Sequence, residues 1–210
     1  MVDLTEALAL TGPDATLKLY RDWAASYDGG FAAEMAYLLP AHVAGAFVAA
    51  GGTGPVLDVG AGTGLLAQAL RDMAFQDAVD GLDFSAEMLE QAAAKGIYRA
   101  LVRADVTQAL PLQRVYHGVT SSGTFTAGHV GPDAFGPMLA VALPGAQFAL
   151  SVNQRVWRDM GFDGALTGLQ AAGRIRELQL IEVAVYGAAA RALDPVHAGD
   201  KAWIVLFRAV

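Results

Sequence analysis

The stretch Val56-Leu57-Asp58-Val59-Gly60-Ala61-Gly62-Thr63-Gly64-Leu65 constrains this chain more than any other. Val56, Leu57 and Val59 are a short apolar run, the mark of a strand buried on both faces. Three glycines at alternate positions follow. They permit a tight turn and let a ligand approach the backbone without meeting a Cβ atom. Leu65-Leu66-Ala67-Gln68-Ala69-Leu70 then offers good helix formers. Strand, glycine turn and helix in that order bring free backbone N–H groups to the mouth of a parallel sheet. Such a mouth suits an adenosine-containing cofactor.

Spacing narrows the cofactor. A dinucleotide fingerprint reads G-x-G-x-x-G, but here Gly60-x-Gly62-x-Gly64 is followed by leucine at 65. A P-loop needs a lysine after its last glycine, and none follows. Asp58 stands two residues before the first glycine. This acid-x-G-x-G-x-G run resembles the first motif of the class I S-adenosylmethionine (SAM) methyltransferases. The resemblance implies that Asp58, Gly60, Ala61, Gly62 and Gly64 line a SAM site.

The rest of the composition excludes several other classes. The chain has 210 residues, enough for one domain with a large core. It is 54% hydrophobic and 17% charged, a globular balance with no disordered stretch. Its net charge is −7, without a lysine- or arginine-rich run. A nucleic-acid partner is not expected, and a small-molecule substrate is. No cysteine is present, so thiolate metal sites and disulfides are excluded, and no metal site is expected. The N-terminus lacks a signal-peptide pattern, and no stretch of 18 apolar residues suggests a membrane span. A cytoplasmic location is expected. Oligomeric state is not readable.

Residues 1–50 read as a helical cap. One helix is expected over 14–25 and a second over 31–50, perturbed at Pro40 and ended by Gly51-Gly52. Between them lies Trp23-Ala24-Ala25-Ser26-Tyr27-Asp28. This W-A-x-x-Y-D stretch resembles an N-terminal lid of small-molecule methyltransferases. With Tyr20-Arg21-Asp22 before it and Tyr37-x-x-Pro40 after it, it resembles the methyltransferase-like family named after the Williams–Beuren syndrome chromosomal region. Tyr20, Trp23 and Tyr27 are accordingly expected to cover the cofactor as well as to pack the helix.

Residues 78–82 read as a second strand, closed by Asp83. A carboxylate there can accept hydrogen bonds from both hydroxyls of a ribose. Phe84 is placed to lie against adenine, and Ser85 to cap a helix that contains Met88. Gly81-Leu82-Asp83-Phe84-Ser85-Ala86-Glu87-Met88 resembles the second methyltransferase motif. Residues 98–104 alternate as a third strand, and Asp105 closes it. The resemblance implies that Asp105 binds the adenine amino group and that Val106 supplies a backbone contact. A fourth strand over 115–121 carries His117, read as structural, and ends at Ser121, expected near the cofactor. The loop 122–132 should border the transferred methyl group. Its His129 is the one catalytic candidate, as a base that titrates near neutral pH.

A helix follows to about residue 143, then a fifth strand over 148–153, a helix over 161–173 and strands over 175–186 and 201–209. The loop 188–200 between the last two strands, with His197, reads as an ordinary surface loop, the alternative being a segment that lines the substrate pocket. The expected fold is α/β, a single Rossmann-like domain. It comprises a cap (1–50), a cofactor-binding core (51–153) and a closing hairpin with substrate loops (154–210). The resemblance implies seven strands, mostly parallel, in the order 3-2-1-4-5-7-6. Methyl transfer is a displacement at an activated carbon, governed by alignment and contact. It demands no fixed catalytic residue. The expected activity is therefore SAM-dependent methyl transfer to a small molecule, with S-adenosylhomocysteine (SAH) as product. The alternatives are a SAM- or SAH-binding protein without catalysis and, with the spacing against it, an NAD-type enzyme.

Overall fold

The computed structural model describes residues 28–126 and 130–210. Seven strands form one sheet: β1 (Val56–Val59), β2 (Val79–Asp83), β3 (Ala100–Arg103), β4 (Tyr116–Phe125), β5 (Ala142–Asn153), β6 (Ile175–Ala184) and β7 (Lys201–Ala209). Their order is β3-β2-β1-β4-β5-β7-β6, as expected. β1 to β5 pair in parallel, and β7 enters antiparallel between β5 and β6.

Side-chain alternation divides the core between the two faces of the sheet. Val56, Ala149, Ile204 and Leu206 meet Val43 and Phe47 of helix α1 (Leu39–Ala49) and Leu66 and Leu70 of α2 (Leu65–Asp72). Leu57, Val59, Leu150, Val205 and Phe207 face the other way. They meet Phe135 and Met138 of α4 (Phe135–Val141) and Phe162 and Leu166 of α5 (Phe162–Ala171). Helix α3 (Ala86–Ala94) packs on β2 and β3, and the short α6 (Ala190–Leu193) lies between β6 and β7. A buried acid ties the sheet's parallel half together. Asp80 of β2 accepts from Nε of Arg99 (2.9 Å) and from the hydroxyl of Tyr116 on β4 (2.8 Å). Among the described residues no helix is long and apolar enough to cross a membrane.

Four expectations are corrected. The helix expected over 31–50 is divided. Asp28–Ala32 form a π-type turn, Tyr37 bridges to Tyr186, and α1 begins only at Leu39. Pro40 opens this helix instead of perturbing it, because its missing N–H falls among donors that have no intrahelical partner. β4 runs past Ser121 to Phe125, so the following loop is shorter. β5 begins at Ala142, not at 148, and its pairing with β4 is irregular between Tyr116 and Gly118. The segment 188–200 is not a plain surface loop. His197 is buried, with its Nδ1 2.9 Å from Asp194 Oδ2. The helix expected over 14–25 lies outside the described residues.

Candidate functional site

The glycine turn hooks onto the end of β2. The N–H groups of Gly60 and Ala61 both donate to the carbonyl of Leu82, at 2.8 and 3.0 Å. Gly60 has φ +67°, and a Cβ there would stand 1.9 Å from Oγ1 of Thr124. Both backbone and space therefore demand glycine. Gly62 also lies in the left-handed region, φ +53°, but among the described residues a Cβ would meet nothing within 4 Å. Its N–H donates to Oδ2 of Asp83 at 2.7 Å. Gly64 caps α2 in the left-handed region.

Asp83 thus clamps the turn. Its other oxygen accepts from the N–H of Ser85 at 2.9 Å, while the Ser85 hydroxyl caps α3 through the N–H of Met88. Burial pushes the Asp83 carboxyl upward, and backbone N–H groups of Ser85, Gly62 and Phe84 oppose it. Beside it, Asp58 is fully buried. The hydroxyl of Tyr98 donates to its Oδ2 at 2.7 Å, and its Oδ1 is buried with no partner among the described residues. Burial pushes the Asp58 carboxyl to about 7, helped by the nearby Asp83 charge and opposed by the Tyr98 hydrogen bond. An unpaired buried acceptor costs about 1–3 kcal/mol. A cationic donor is the group that would both pair this oxygen and favour the ionised form.

A third acid comes from before the sheet. Asp28 accepts from the hydroxyl of Thr63, inside the glycine turn, at 2.5 Å. Its other oxygen lies 2.6 Å from Nζ of Lys95 at the end of α3. The residue that ends the W-A-x-x-Y-D stretch is therefore bound to the glycine turn.

The remaining expected site residues fall around this centre. Phe84 is exposed beyond β2, with 41% of its surface open. Met88 is buried at the start of α3, and Val106 is buried beyond β3. Asp105 follows β3, and its Oδ1 accepts from both the N–H and the hydroxyl of Thr107, which closes a local turn. Ser121 is buried, and its hydroxyl is engaged with the Val59 carbonyl at 2.7 Å and with Thr124. Its side chain thus braces β1 against β4. His117 is exposed at the start of β4, the end of the strand opposite the glycine turn. Tyr20, Trp23, Tyr27 and His129 lie outside the described residues.

Sequence reasoning missed three contributors. Asp28 stands out in the sequence only as the end of the W-A-x-x-Y-D stretch. Tyr98 carried no signal, because its partner Asp58 is 40 residues away and the contact exists only once β2 lies between them. Tyr37 reaches Ser122 and packs on Tyr186 with ring centroids 5.9 Å apart. Burial pushes its hydroxyl up to about 12. It stands under Gly123 on the distal part of β4, where a Cβ would meet its hydroxyl at 2.4 Å.

Residues 56–145 match a family described as a methyltransferase domain. No curated protein matches the chain in sequence. Among solved structures, the DhpI–SAH complex is similar at 22% identity, covering 92% of this chain and 94% of that one, with TM-score 0.61. A putative S-adenosyl-L-methionine-dependent methyltransferase of Methanococcus maripaludis is similar at 16% identity, with 93% of each chain covered and TM-score 0.59. A putative methyltransferase in complex with the Trm112 activator of Haloferax volcanii is similar at 17% identity, covering 90% and 97%, with TM-score 0.61. At these identities the solved structures share the fold. The matched segment runs from β1 into β5 and holds the glycine turn, Asp58, Asp83 and Asp105. The methyltransferase-domain match over residues 56–145 and the shared fold support methyl transfer from SAM, with SAH as product.

Proposed function

We propose that this methyltransferase acts on a small molecule and holds SAM across the ends of β1 and β2. The observation that carries the proposal is the buried Oδ1 of Asp58 beside the glycine turn, unpaired among the described residues. The methionine part of SAM brings an ammonium group, the cationic donor this oxygen lacks. Asp83 would take the ribose hydroxyls. Its carboxylate has about four lone-pair sites, and the N–H groups of Gly62 and Ser85 leave acceptor capacity. Phe84 would lie along the adenine, with Asp105 and Val106 at its edge. Gly60, Ala61 and Gly62 would give the backbone approach. Met88 and Ser121 would support the site from beneath.

When bound, SAM supplies a methyl group on a sulfonium, which is activated without help from a protein acid. The chain's own task is to align the acceptor and exclude water. Tyr20, Trp23 and Tyr27 would do the covering, with Asp28 securing the end of their segment to Thr63 and Lys95. His129 is the candidate base for an acceptor that must lose a proton. The W-A-x-x-Y-D stretch and Tyr37-x-x-Pro40 support a kinship with the Williams–Beuren methyltransferase-like family. The net charge of −7 favours a small molecule over a polyanion as acceptor.

Thermal denaturation tests the cofactor site. SAH at one hundred times its dissociation constant should stabilise the protein by about 2.7 kcal/mol. At about 2–4 °C per kcal/mol for a chain of this size, that is about 5–10 °C. NAD should give no shift, and stabilisation by NAD alone refutes the site. Incubation with methyl-labelled SAM and a cell extract tests the acceptor class. Label is expected in the small-molecule fraction, and label confined to protein or nucleic acid refutes that class.

A further inference from the structure

β1, β4 and β5 are successive parallel neighbours, so their carboxyl ends open on one edge of the sheet. At about 4.8 Å between strands, β5 lies about 10 Å across the sheet from β1, and β7, which carries Trp203, about 14 Å. A cleft of about 380 Å³ opens at the end of β5, lined by Gln154, Arg155, Trp157, Arg158, Asp159 and Trp203. Trp203 reaches this edge because β7 is antiparallel and begins there, pairing with Val152. The volume sits at the low end of the range for small-molecule sites and suits one or two rings.

The lining is chemically specific. Trp157 and Trp203 are half-buried, with ring centroids 6.2 Å apart and planes inclined by 59°. The two indoles touch each other at this tilt, and Trp157 is also stacked on Phe162, with ring centroids 6.2 Å apart, so together they offer one continuous aromatic wall to the cleft. The two guanidinium groups are not equivalent. Arg155 is neutralised by buried Asp200, to which Nε and Nη2 donate at 2.8 and 2.6 Å, and Nη2 also reaches the Val196 carbonyl. Arg155 is therefore a fixed wall. Arg158 is exposed and makes no ion pair among the described residues. Its planar fork fits a carboxylate. Asp159 adds one negative charge to the same lining, which disfavours an acceptor with a second anionic group.

We propose that this cleft is the acceptor site, and that the acceptor is a planar aromatic monoanion, a carboxylic acid of one or two rings. The proposal rests on the cofactor site described above. The indoles would hold the ring, Arg158 the carboxylate, and a ring hydroxyl or amino group would point toward the glycine turn. In the transfer, a lone pair of that oxygen or nitrogen forms the bond to the methyl carbon. The carbon–sulfur pair returns to sulfur, leaving SAH, and the acceptor's proton passes to water.

The test is calorimetric titration of the SAH-saturated protein with three probes: 4-hydroxybenzoate, its neutral amide 4-hydroxybenzamide, and the dianion 5-hydroxyisophthalate. The monoanion should bind roughly tenfold more tightly than either of the others. Arg158→Gln, a change at an exposed side chain, should erase the preference over the amide and leave SAH affinity unchanged. Trp203→Phe should weaken all aromatic probes while keeping the order. Equal binding of acid and amide, or no binding of either up to about 10 mM, overturns the proposal. So does a loss of SAH affinity in Arg158→Gln, which would assign the cleft to the cofactor. Failure of the wild-type protein to bind SAH would instead remove the cofactor site, and the acceptor site with it.

Discussion

Replacing Asp83 by alanine removes the acceptor for two backbone donors, Gly62 N–H at 2.7 Å and Ser85 N–H at 2.9 Å. Hydrogen bonds to a charged group contribute about 1.5–3 kcal/mol each. Their sum overstates the loss, because burial already disfavours the ionised carboxyl and alanine carries no such cost. The net destabilisation is expected near 2 kcal/mol, a fall in melting temperature of about 4–8 °C. The same substitution should weaken SAM binding by about 2–4 kcal/mol, roughly 30- to 1000-fold, by removing two acceptors for the ribose and loosening the turn. Asp83→Asn keeps one acceptor oxygen but sets an amide donor against the other N–H, so it should recover only part of the stability. Differential scanning calorimetry and isothermal titration on the same samples measure both quantities. A melting temperature equal to wild type refutes the clamp. A lowered melting temperature with unchanged SAM affinity refutes the ribose role and leaves Asp83 as a clamp alone.

Four further outcomes are expected. The Asp58 carboxyl moves from 3.8 to about 7 in the folded protein, so between those values the folded state keeps a proton that the unfolded chain has lost. Its contribution is full below about pH 4 and is lost as pH rises through about 7. Asp58→Asn should therefore gain melting temperature relative to wild type from pH 5 to pH 8. SAH binding near pH 7 should release a proton, seen as a buffer-dependent binding enthalpy; a buffer-independent enthalpy contradicts the pairing of Asp58 with the ammonium. Gly60→Ala should cost about 1–2 kcal/mol for the left-handed backbone alone, plus the clash with Thr124. Gly60→Ala with Thr124→Ala should recover only the clash, so full recovery of the melting temperature would show that the backbone is not strained. SAH should slow hydrogen exchange across residues 14–30, and Asp28→Ala should abolish that slowing by breaking the contacts to Thr63 and Lys95; exchange that ignores SAH in the wild type counts against a cofactor-linked cover.

The sheet was legible because its signals are local. The apolar run of β1, the glycines after it and the acid closing β2 are each read within ten residues, and the strand-like run 201–209 coincides with β7. Pro40 was misread because the same ring breaks a helix in its interior and starts one in its first turn, and only the bridge between Tyr37 and Tyr186 fixes which applies. Strand ends were misjudged where pairing carries on past polar residues, as in β4 beyond Ser121.

By itself, the order of residues determined the strand–turn–helix unit and the placing of carboxylates at 58 and 83. These follow from backbone sterics and from a periodicity of two, which act between near neighbours. Only the tertiary structure decided what those carboxylates do. It placed Tyr98 against Asp58 across β2, turned both oxygens of Asp83 onto the glycine turn and the next helix, and brought Asp28 to Thr63 and Lys95. Hydrogen bonds and burial act through space, and parallel strands bring together residues that lie tens of positions apart in the chain.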